Sequence, residues 1–391
     1  MITRAVIALS VLLSTTAFAQ GLDPMRNVSG TTANPGPSLW VPSSPGGWTF
    51  FHGFDAHVTY LSQTGPEEQE NEVFSTNWLG AGVHRNIGDR AFILARGRVS
   101  LETTTIQEDG YPQFFQYVPG ELDPTDRMRA SDLFGEAAVQ IGFRPTQTTL
   151  ISLYGALVGQ PALGAAPAQL RQSGIDFAEA PFAYDIQETY ADSTSVVTAG
   201  FATSWIALEA SAFHDAATTG DHTDLATGDI DSHSARVTLM SPNAMIQVSR
   251  GELGEDFAQR TVTSASFTYN ASMIAATALW TRREYEEDAF ASETAYGLEL
   301  ALRGSRNTFM VRAEHVDRPS GFPFPNLPVG LTVEPATHFT GGYLFDFIAG
   351  GRYRAGVGVN IDYRTQTRDL EEIYGHKPQG IYTFVRFRTG A

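Results

Sequence analysis

The sequence predicts an all-β fold, a transmembrane antiparallel β-barrel of about sixteen strands, and three observations support it. Segments of about ten residues alternate between apolar and polar side chains, and this is the length of a tilted strand that crosses a bilayer. Long and short links alternate between these segments, as they do in bacterial outer-membrane barrels. Beyond the N-terminus, no stretch approaches the roughly eighteen apolar residues of a membrane helix. A soluble β-sandwich also alternates, but it has no reason to sort its links by length.

The N-terminus has the three parts of a secretory signal peptide, which we assign to residues 1–19. Arg4 supplies the positive charge, and residues 5–13 form an apolar run that is too short to span a bilayer. Ala17-Phe18-Ala19 then offers the small residues that a signal peptidase requires. We expect cleavage after Ala19 and export of the mature chain, and an uncleaved anchor is the alternative.

Composition excludes several classes of site. The chain has no cysteine, so disulfides and thiolate metal sites are excluded. Its formal net charge of −17 argues against nucleic acid as a partner, because a phosphate backbone attracts basic surfaces.

Dyad alternation is clearest at 91–103, 133–143 and 353–363. In the last of these, Val357, Val359 and Ile361 share one face, and polar residues occupy the other. Such a pattern predicts strands with one face toward lipid and the other toward the lumen. The predicted strands are 48–61, 73–85, 91–104, 131–144, 148–158, 192–203, 204–214, 232–241, 243–251, 259–270, 273–285, 292–303, 307–318, 335–349, 352–366 and 378–388.

The odd-numbered links between these strands are long and the even-numbered links are tight turns. Long outer loops and short periplasmic turns are typical of bacterial barrels, and an even strand number places both termini in the periplasm. Because 73–85 and 148–158 have no clean apolar face, and the bend at 203–204 rests on spacing, a count of fourteen remains an alternative.

Residues 20–47 are rich in Gly, Pro, Asn and Ser and have no period. We expect them to form either a periplasmic tail or a segment tucked into the barrel mouth, ahead of a barrel at 48–391.

Several short motifs, in their order along the chain, resemble a family of uncharacterised bacterial outer-membrane β-barrel proteins that are porin-like. The resemblance extends from about residue 48 to the C-terminus. It implies a barrel fold and no established activity, with a weak association with metal handling in some members. The motifs are Gly110-Tyr111-Pro112, Asp126-Arg127, Asp132-Leu133-Phe134, Gly159-Gln160-Pro161-Ala162-Leu163-Gly164, Asp192-Ser193-Thr194, Asp231-Ser232, Ser234-Ala235-Arg236 and Phe384-Val385-Arg386-Phe387-Arg388.

The resemblance also implies histidines in the loops between these motifs. Between Asp126-Arg127 and Asp132, this chain has Arg129 and Ser131 where histidine is expected. It also has Gln187 and Glu188 where a histidine pair is expected before Asp192. If those histidines carry a function in relatives, this chain has lost it.

The loop around residues 214–233 is the best metal candidate, because carboxylates and imidazoles suit Zn²⁺ and clustered Asp suits Ca²⁺. The spacing matches no finger or EF-hand, so an acidic, solvated outer loop is the alternative. The candidate ligands are His214, Asp215, Asp221, His222, Asp224, Asp229, Asp231 and His233.

An enzymatic role is not expected. No Gly-x-Ser-x-Gly or His-Glu-x-x-His motif stands out, and Ser234 and His233 would point to opposite faces of one strand. No cofactor is expected either.

The side chains that alternate with those of each apolar face are predicted to point into the lumen. Arginine predominates in this set, whereas the loops at 67–70, 284–288 and 371–372 are acidic. These charges would either form ion pairs in a plugged barrel or line an open pore. The predicted lumen residues are Arg96, Arg98, Glu102, Glu136, Arg236, Glu299, Arg303, Arg312, Glu314, Arg354, Asp362, Arg364, Arg386 and Arg388.

Two functions fit such a barrel. The leading hypothesis is a porin-like channel for small hydrophilic solutes, with a leaning toward anions if arginines line an open pore. The alternative is a non-conducting barrel whose acidic outer loops bind divalent ions, lipopolysaccharide or a partner. That alternative predicts a lumen filled by 20–47 or by the long links 105–130 and 159–191. We expect outer-membrane lipid around the barrel in both cases.

Overall fold

The computed structural model of the chain describes residues 22–64, 69–116, 126–215, 222–223, 225, 227–254, 259–286, 291–319, 333–368, 371 and 379–389. These residues form a closed antiparallel barrel of sixteen strands. The prediction of sixteen strands is confirmed, and the alternative of fourteen is excluded. No helix among the described residues is long and apolar enough to span a membrane.

Each barrel strand corresponds to one predicted segment, and we number the strands β1 to β16 in chain order. They are Thr49–Thr64, Gln69–Ile87, Ala91–Val99, Phe134–Thr146, Thr149–Val158, Thr194–Thr203, Ile206–His214, Ser232–Met240, Ala244–Leu253, Arg260–Asn270, Ile274–Tyr285, Glu293–Arg303, Asn307–Pro319, Val333–Gly350, Tyr353–Gln366 and Gln379–Thr389.

The barrel closes between its first and last strands. Strand β16 pairs with β1 from Gln379 opposite Thr64 to Arg388 opposite Asp55, and every other pair joins consecutive strands. A closed sheet leaves no edge strand with unpaired backbone groups, and a strand structure in lipid requires this.

Inward and outward faces alternate as the sequence predicts. In β8 the side chains alternate strictly between buried and exposed from Ser232 to Leu239. Outward residues such as Val248 and Leu298 are apolar and about half exposed, whereas inward residues such as Thr277 and Glu299 are buried. An apolar outer face around a polar interior is the surface of a barrel that spans a bilayer.

The predicted strand at 91–104 is wrong at its end, because β3 stops at Val99. The polar alternation continues through Ser100 and Glu102, but the chain leaves the sheet and forms helix α1, Glu102–Thr105. The Oγ of Ser100 donates to the carbonyl of Asn77, and the Glu102 carboxylate accepts from the amide of Asn77. These bonds replace strand pairing and keep Glu102 pointing inward.

The remaining elements are short, and all but Val41–Ser43, which pairs with the start of β1, lie off the barrel wall. They are helix α2 at Tyr184–Gln187, 3₁₀ turns at Pro24–Arg26, Ala168–Leu170 and Thr189–Asp192, and strands Asn27–Ser29, Thr32–Ala33, Val41–Ser43, Tyr111–Pro112 and Arg127–Met128. Among the tight turns, the one before β15 requires glycine, since Gly351 has a φ of +75°.

A charge on the outer face should destabilise the barrel. Leu298 lies at the centre of β12 and is 55% exposed, so Leu298→Arg places a guanidinium in lipid. We expect the free energy of unfolding in lipid vesicles to fall by about 2–4 kcal/mol. Leu298→Ile is the control and should change it little. Equal values for the two variants would show that this face does not contact lipid.

Candidate functional site

All fourteen predicted lumen residues lie on the inward side of the barrel. Twelve of them are buried, and Arg303 and Arg354 are half-buried at the periplasmic ends of their strands. Each of the nine arginines in this set has a carboxylate within 4.0 Å. The lumen arginines are therefore paired rather than free.

The long link between β5 and β6 lies inside the barrel. We call residues 159–193 the inner loop, and most of its described side chains are buried. Its run Pro161-Ala162-Leu163-Gly164-Ala165-Ala166-Pro167-Ala168 is small and apolar, and this suits a segment that packs inside a barrel better than a solvated loop.

Asp176 is the centre of the charge network that holds the inner loop. Its carboxylate pairs with Arg386, with Arg303 at 2.7 Å and with Arg388 at 3.4 Å. Burial alone would raise the pKa of Asp176, but Arg388, Arg303 and Arg386 outweigh it and hold that pKa well below its usual range. Asp346 neutralises part of the remaining positive charge through Arg386, at 2.6 Å.

Further ion pairs tie the inner loop to the same side of the barrel, strands β11–β16. Arg171 pairs with Glu299 of β12 at 2.8 Å, and Asp185 pairs with Arg318 of β13 at 2.9 Å. Glu179 accepts from the amide nitrogen of Asn360 in β15 at 2.7 Å. The inner loop is therefore bound firmly to one wall of the barrel.

The N-terminal segment occupies a different part of the lumen. We call residues 22–41 the N-terminal segment; it lies against the periplasmic half of strands β3–β10. Trp40 packs edge-on against Phe51 and Trp78, with ring centroids 5.3 and 6.0 Å apart. Residues 22–41 therefore lie inside the barrel lumen.

One cavity, of about 60 Å³, remains between the inner loop and the wall of strands β1–β4. Five buried side chains in its lining carry a polar atom that has no hydrogen-bond partner among the described residues. They are Asp55, His57, Arg98, Glu179 and Arg312. Buried polar atoms are normally paired with protein or water, so this cavity is hydrophilic.

The charge of this cavity is mainly acidic. Besides Arg98, Arg129 and Arg312, its lining holds six carboxylates: Asp55, Glu102, Asp132, Glu179, Glu188 and Asp192. Burial raises the pKa of Asp192 to about 7 against the attraction of Arg98, and nearby Asp132 and Glu102 add to the rise.

Three positions where the sequence resemblance implies histidines, Arg129, Ser131 and Glu188, line this cavity together. Gln187 is buried nearby in helix α2. These positions therefore lie together in the fold, although this chain has no histidine at any of the three.

The candidate metal ligands at 214–233 do not converge on one site, and those that the structure describes take part in separate contacts. His214 pairs with Asp231 at 2.6 Å, and Asp215 pairs with Arg260 at 2.5 Å. His222 instead reaches Asp132 at 2.8 Å. His233 lies on the outer face, 3.4 Å from Glu252, Asp229 is exposed, and Asp221 and Asp224 lie outside the described residues. Within the described part of the chain, no group of three or more such side chains could hold a metal ion.

The sequence interpretation missed three acidic residues of the inner loop, Asp176, Glu179 and Asp185. Their partners are far away in sequence, so no local spacing reveals them. The small, apolar composition of 161–168 was an available indication, and the sequence analysis left open whether the link 159–191 fills the lumen.

Solved structures with similar folds are outer-membrane proteins. One is the Salmonella typhi OmpF complex with daunomycin, at a TM-score of 0.58 and 9% identity over 89% of this chain and 100% of that one. Another is the anion-selective porin from Comamonas acidovorans, at a TM-score of 0.56 and 11% identity over 87% of this chain and 99% of that one. The chain has a porin fold.

A third similar structure is OmpT of Vibrio cholerae with a deletion of loop L8, at a TM-score of 0.52 and 9% identity over 87% of this chain and 99% of that one. No protein-family model matches the chain, and no curated protein matches it. This outcome fits the resemblance to an uncharacterised porin-like family. At these identities the likeness establishes the porin fold and does not transfer selectivity or ligands.

Removing the Asp176 carboxylate should destabilise the inner loop. Asp176→Asn leaves Arg386 and Arg388 buried with less compensation, and breaking a buried pair typically costs about 3–5 kcal/mol. We expect lower thermal stability and faster proteolysis within 159–193. Asp109→Asn is the control: the Asp109 side chain is 63% exposed and pairs with Arg127 at 3.1 Å, so its loss should cost about 0–1 kcal/mol.

The stability lost in Asp176→Asn should depend on pH. The folded-state pKa of Asp176 is below its ordinary value of 3.8, so the stabilisation is present above that pH and is lost as pH falls through the lowered pKa. The stability difference between wild type and Asp176→Asn should therefore shrink below about pH 4. A difference that is constant down to pH 2 would contradict the assigned ion pairs.

Proposed function

We propose that this protein is an outer-membrane channel of the porin type that passes small hydrophilic solutes. The observation that carries the proposal is the hydrophilic cavity beside the inner loop. There Asp55 Oδ1, His57 Nε2 and Arg98 Nη1 are buried and have no hydrogen-bond partner among the described residues. Such atoms favour water or a polar solute over an apolar filling. No catalytic step is part of this proposal.

Several features support a narrow passage at this position. The ion pairs of Asp176 and Arg171 draw the inner loop toward β11–β16, and the cavity lies on the opposite side, against β1–β4. The loop still touches that wall, since Thr76 donates to the carbonyl of Ala178 at 3.0 Å and Trp78 to that of Gln169 at 3.1 Å. A passage bounded in this way suits only small solutes.

Anion preference is not part of the proposal. An anion-selective wall needs unpaired positive groups facing the passage, and the lumen arginines are paired. The cavity lining has six carboxylates and three arginines. This excess of acidic groups favours cations.

A second candidate is the non-conducting barrel that acts through its outer loops. The observation that favours it is the occupied lumen, because the N-terminal segment and the inner loop both lie inside the barrel. Binding of divalent ions or lipopolysaccharide by the acidic outer loops belongs to this candidate.

Planar-bilayer recording of the purified full-length protein separates the two candidates. We expect discrete conductance steps, small for a sixteen-stranded barrel because the inner loop narrows the lumen. Reversal potentials in a KCl gradient should show K⁺ favoured over Cl⁻, since carboxylates predominate in the cavity. A preparation that inserts and yet gives no steps would support the non-conducting barrel.

Ionisation of Asp192 should tune this preference near neutral pH. Its raised pKa means that the carboxyl group gains its negative charge as pH rises through about 7, so cation preference should increase between pH 6 and pH 8. Asp192→Asn should abolish this increase, whereas Asp109→Asn, which changes an exposed carboxylate away from the cavity, should retain it. An unchanged pH profile in Asp192→Asn would remove Asp192 from the passage.

A further inference from the structure

The two segments inside the barrel are held by different interactions. The inner loop is bound to the wall by buried ion pairs centred on Asp176 and Arg171. The N-terminal segment has only two charged residues, Asp23 and Arg26, and they pair with each other at 4.0 Å. Within the described residues, no ion pair joins this segment to the wall or to the inner loop.

Neutral groups of the N-terminal segment provide its bonds to the wall. Arg96 of β3 donates to the carbonyl oxygens of Asn27 and Gly30 at 2.5 and 2.7 Å. Arg236 of β8 donates to the hydroxyl of Thr31 at 3.0 Å. These bonds position the segment without adding net charge to the lumen.

The wall beneath the segment keeps its charge balance when the segment is absent. Arg96 pairs with Glu136 at 2.7 Å, and Arg236 pairs with Glu209 at 2.8 Å, and neither pair involves the segment. Glu136 also accepts from the Tyr154 hydroxyl at 2.9 Å. Departure of the segment therefore leaves no buried charge unpaired, which is the main penalty for breaking such a site.

Packing between the segment and the wall is incomplete on one side. A cavity of about 50 Å³ lies between the segment and strands β4–β9, next to the side chain of Gln247. On the other side, Val28, Leu39 and Trp40 join the largest apolar cluster of the lumen. This cluster holds the segment in place in the resting state.

The connection to β1 has the composition of a hinge. Val41–Ser43 pairs with the start of β1, from Val41 opposite His52 to Ser43 opposite Phe50. The exposed turn 44–47 follows, and in it Gly46 and Gly47 have φ angles of +64° and +83°. Glycine tolerates such angles and many others, so this turn can reorient the segment once the three-residue pairing is broken. With the proposed cleavage after Ala19, the segment is attached at this end only.

We propose that the N-terminal segment is a displaceable plug. It releases the short pairing of Val41–Ser43 with β1, swings about residues 44–47 into the periplasm and uncovers a second, wider passage along strands β3–β10. The inner loop stays in place during this movement. The uncovered wall carries paired charges and neutral polar groups such as Gln140, Thr238 and Gln247. Such a wall suits uncharged or weakly charged hydrophilic solutes. The conduction part of this proposal rests on the channel function proposed above, and the movement of the plug does not.

Cysteine labelling tests the movement directly, because the natural chain has no cysteine. Ser29 of the segment is 1% exposed, and within the described part of the chain its hydroxyl has no hydrogen-bond partner. Ser29→Cys is therefore nearly isosteric and loses no hydrogen bond there. Ala178→Cys is the control in the inner loop, at 0% exposure and with no side-chain hydrogen bond to lose, and exposed Ser44→Cys gives the maximal rate. In reconstituted protein, a polyethylene-glycol maleimide should label Ser29→Cys at least tenfold faster than Ala178→Cys. Equal labelling rates at the two buried sites would contradict the proposed movement of the plug.

Deletion of residues 22–41 tests the passage. This variant keeps all sixteen barrel strands, and its bilayer conductance step should exceed that of the full chain by twofold or more. Selective labelling of Ser29→Cys, with no conductance in either protein, would contradict the channel function while leaving the plug movement established. If conductance is equal in the two proteins and Ser29→Cys is unlabelled, the proposed movement of the plug is contradicted, whereas the channel function is supported.

Discussion

The attraction between the acidic inner loop and the arginines of strands β11–β16 organises the interior of this barrel. Arginines facing a lumen need either water or carboxylates, since an unpaired buried guanidinium is costly. Here Asp176 and Asp185 supply carboxylates from a loop rather than from the wall. The position of the loop and the side on which the hydrophilic cavity remains both follow from this pairing.

The barrel itself could be predicted from the sequence because the environment imposes a local rule. Lipid outside and polar groups inside require alternate residues to differ, so Val357, Val359 and Ile361 identify a strand without knowledge of its partners. The one wrong strand end is at β3, where Ser100 and Glu102 keep the alternation although the backbone has left the sheet. Alternation indicates which way a side chain points and does not indicate whether a strand continues.

The interior could be predicted only in part. The sequence identified inward residues such as Arg386 because direction follows from phase, but it could not identify their partners. Asp176 and Arg386 are 210 positions apart, and no periodicity relates a loop residue to a strand residue over that distance. An arginine-rich wall therefore suggested anion preference, whereas carboxylates of both the loop and the wall pair with these arginines and remove the free positive charge on which that preference depended.

The closure of β16 against β1 has a consequence for biogenesis. Two of the three arginines around Asp176, Arg386 and Arg388, belong to the final strand of the chain. Until that strand is inserted, Asp176 has Arg303 alone, and the inner loop lacks most of the positive charge that holds it. Completion of the wall and ordering of the interior are thus one event, and a chain truncated before β16 would have both an open seam and an unanchored loop.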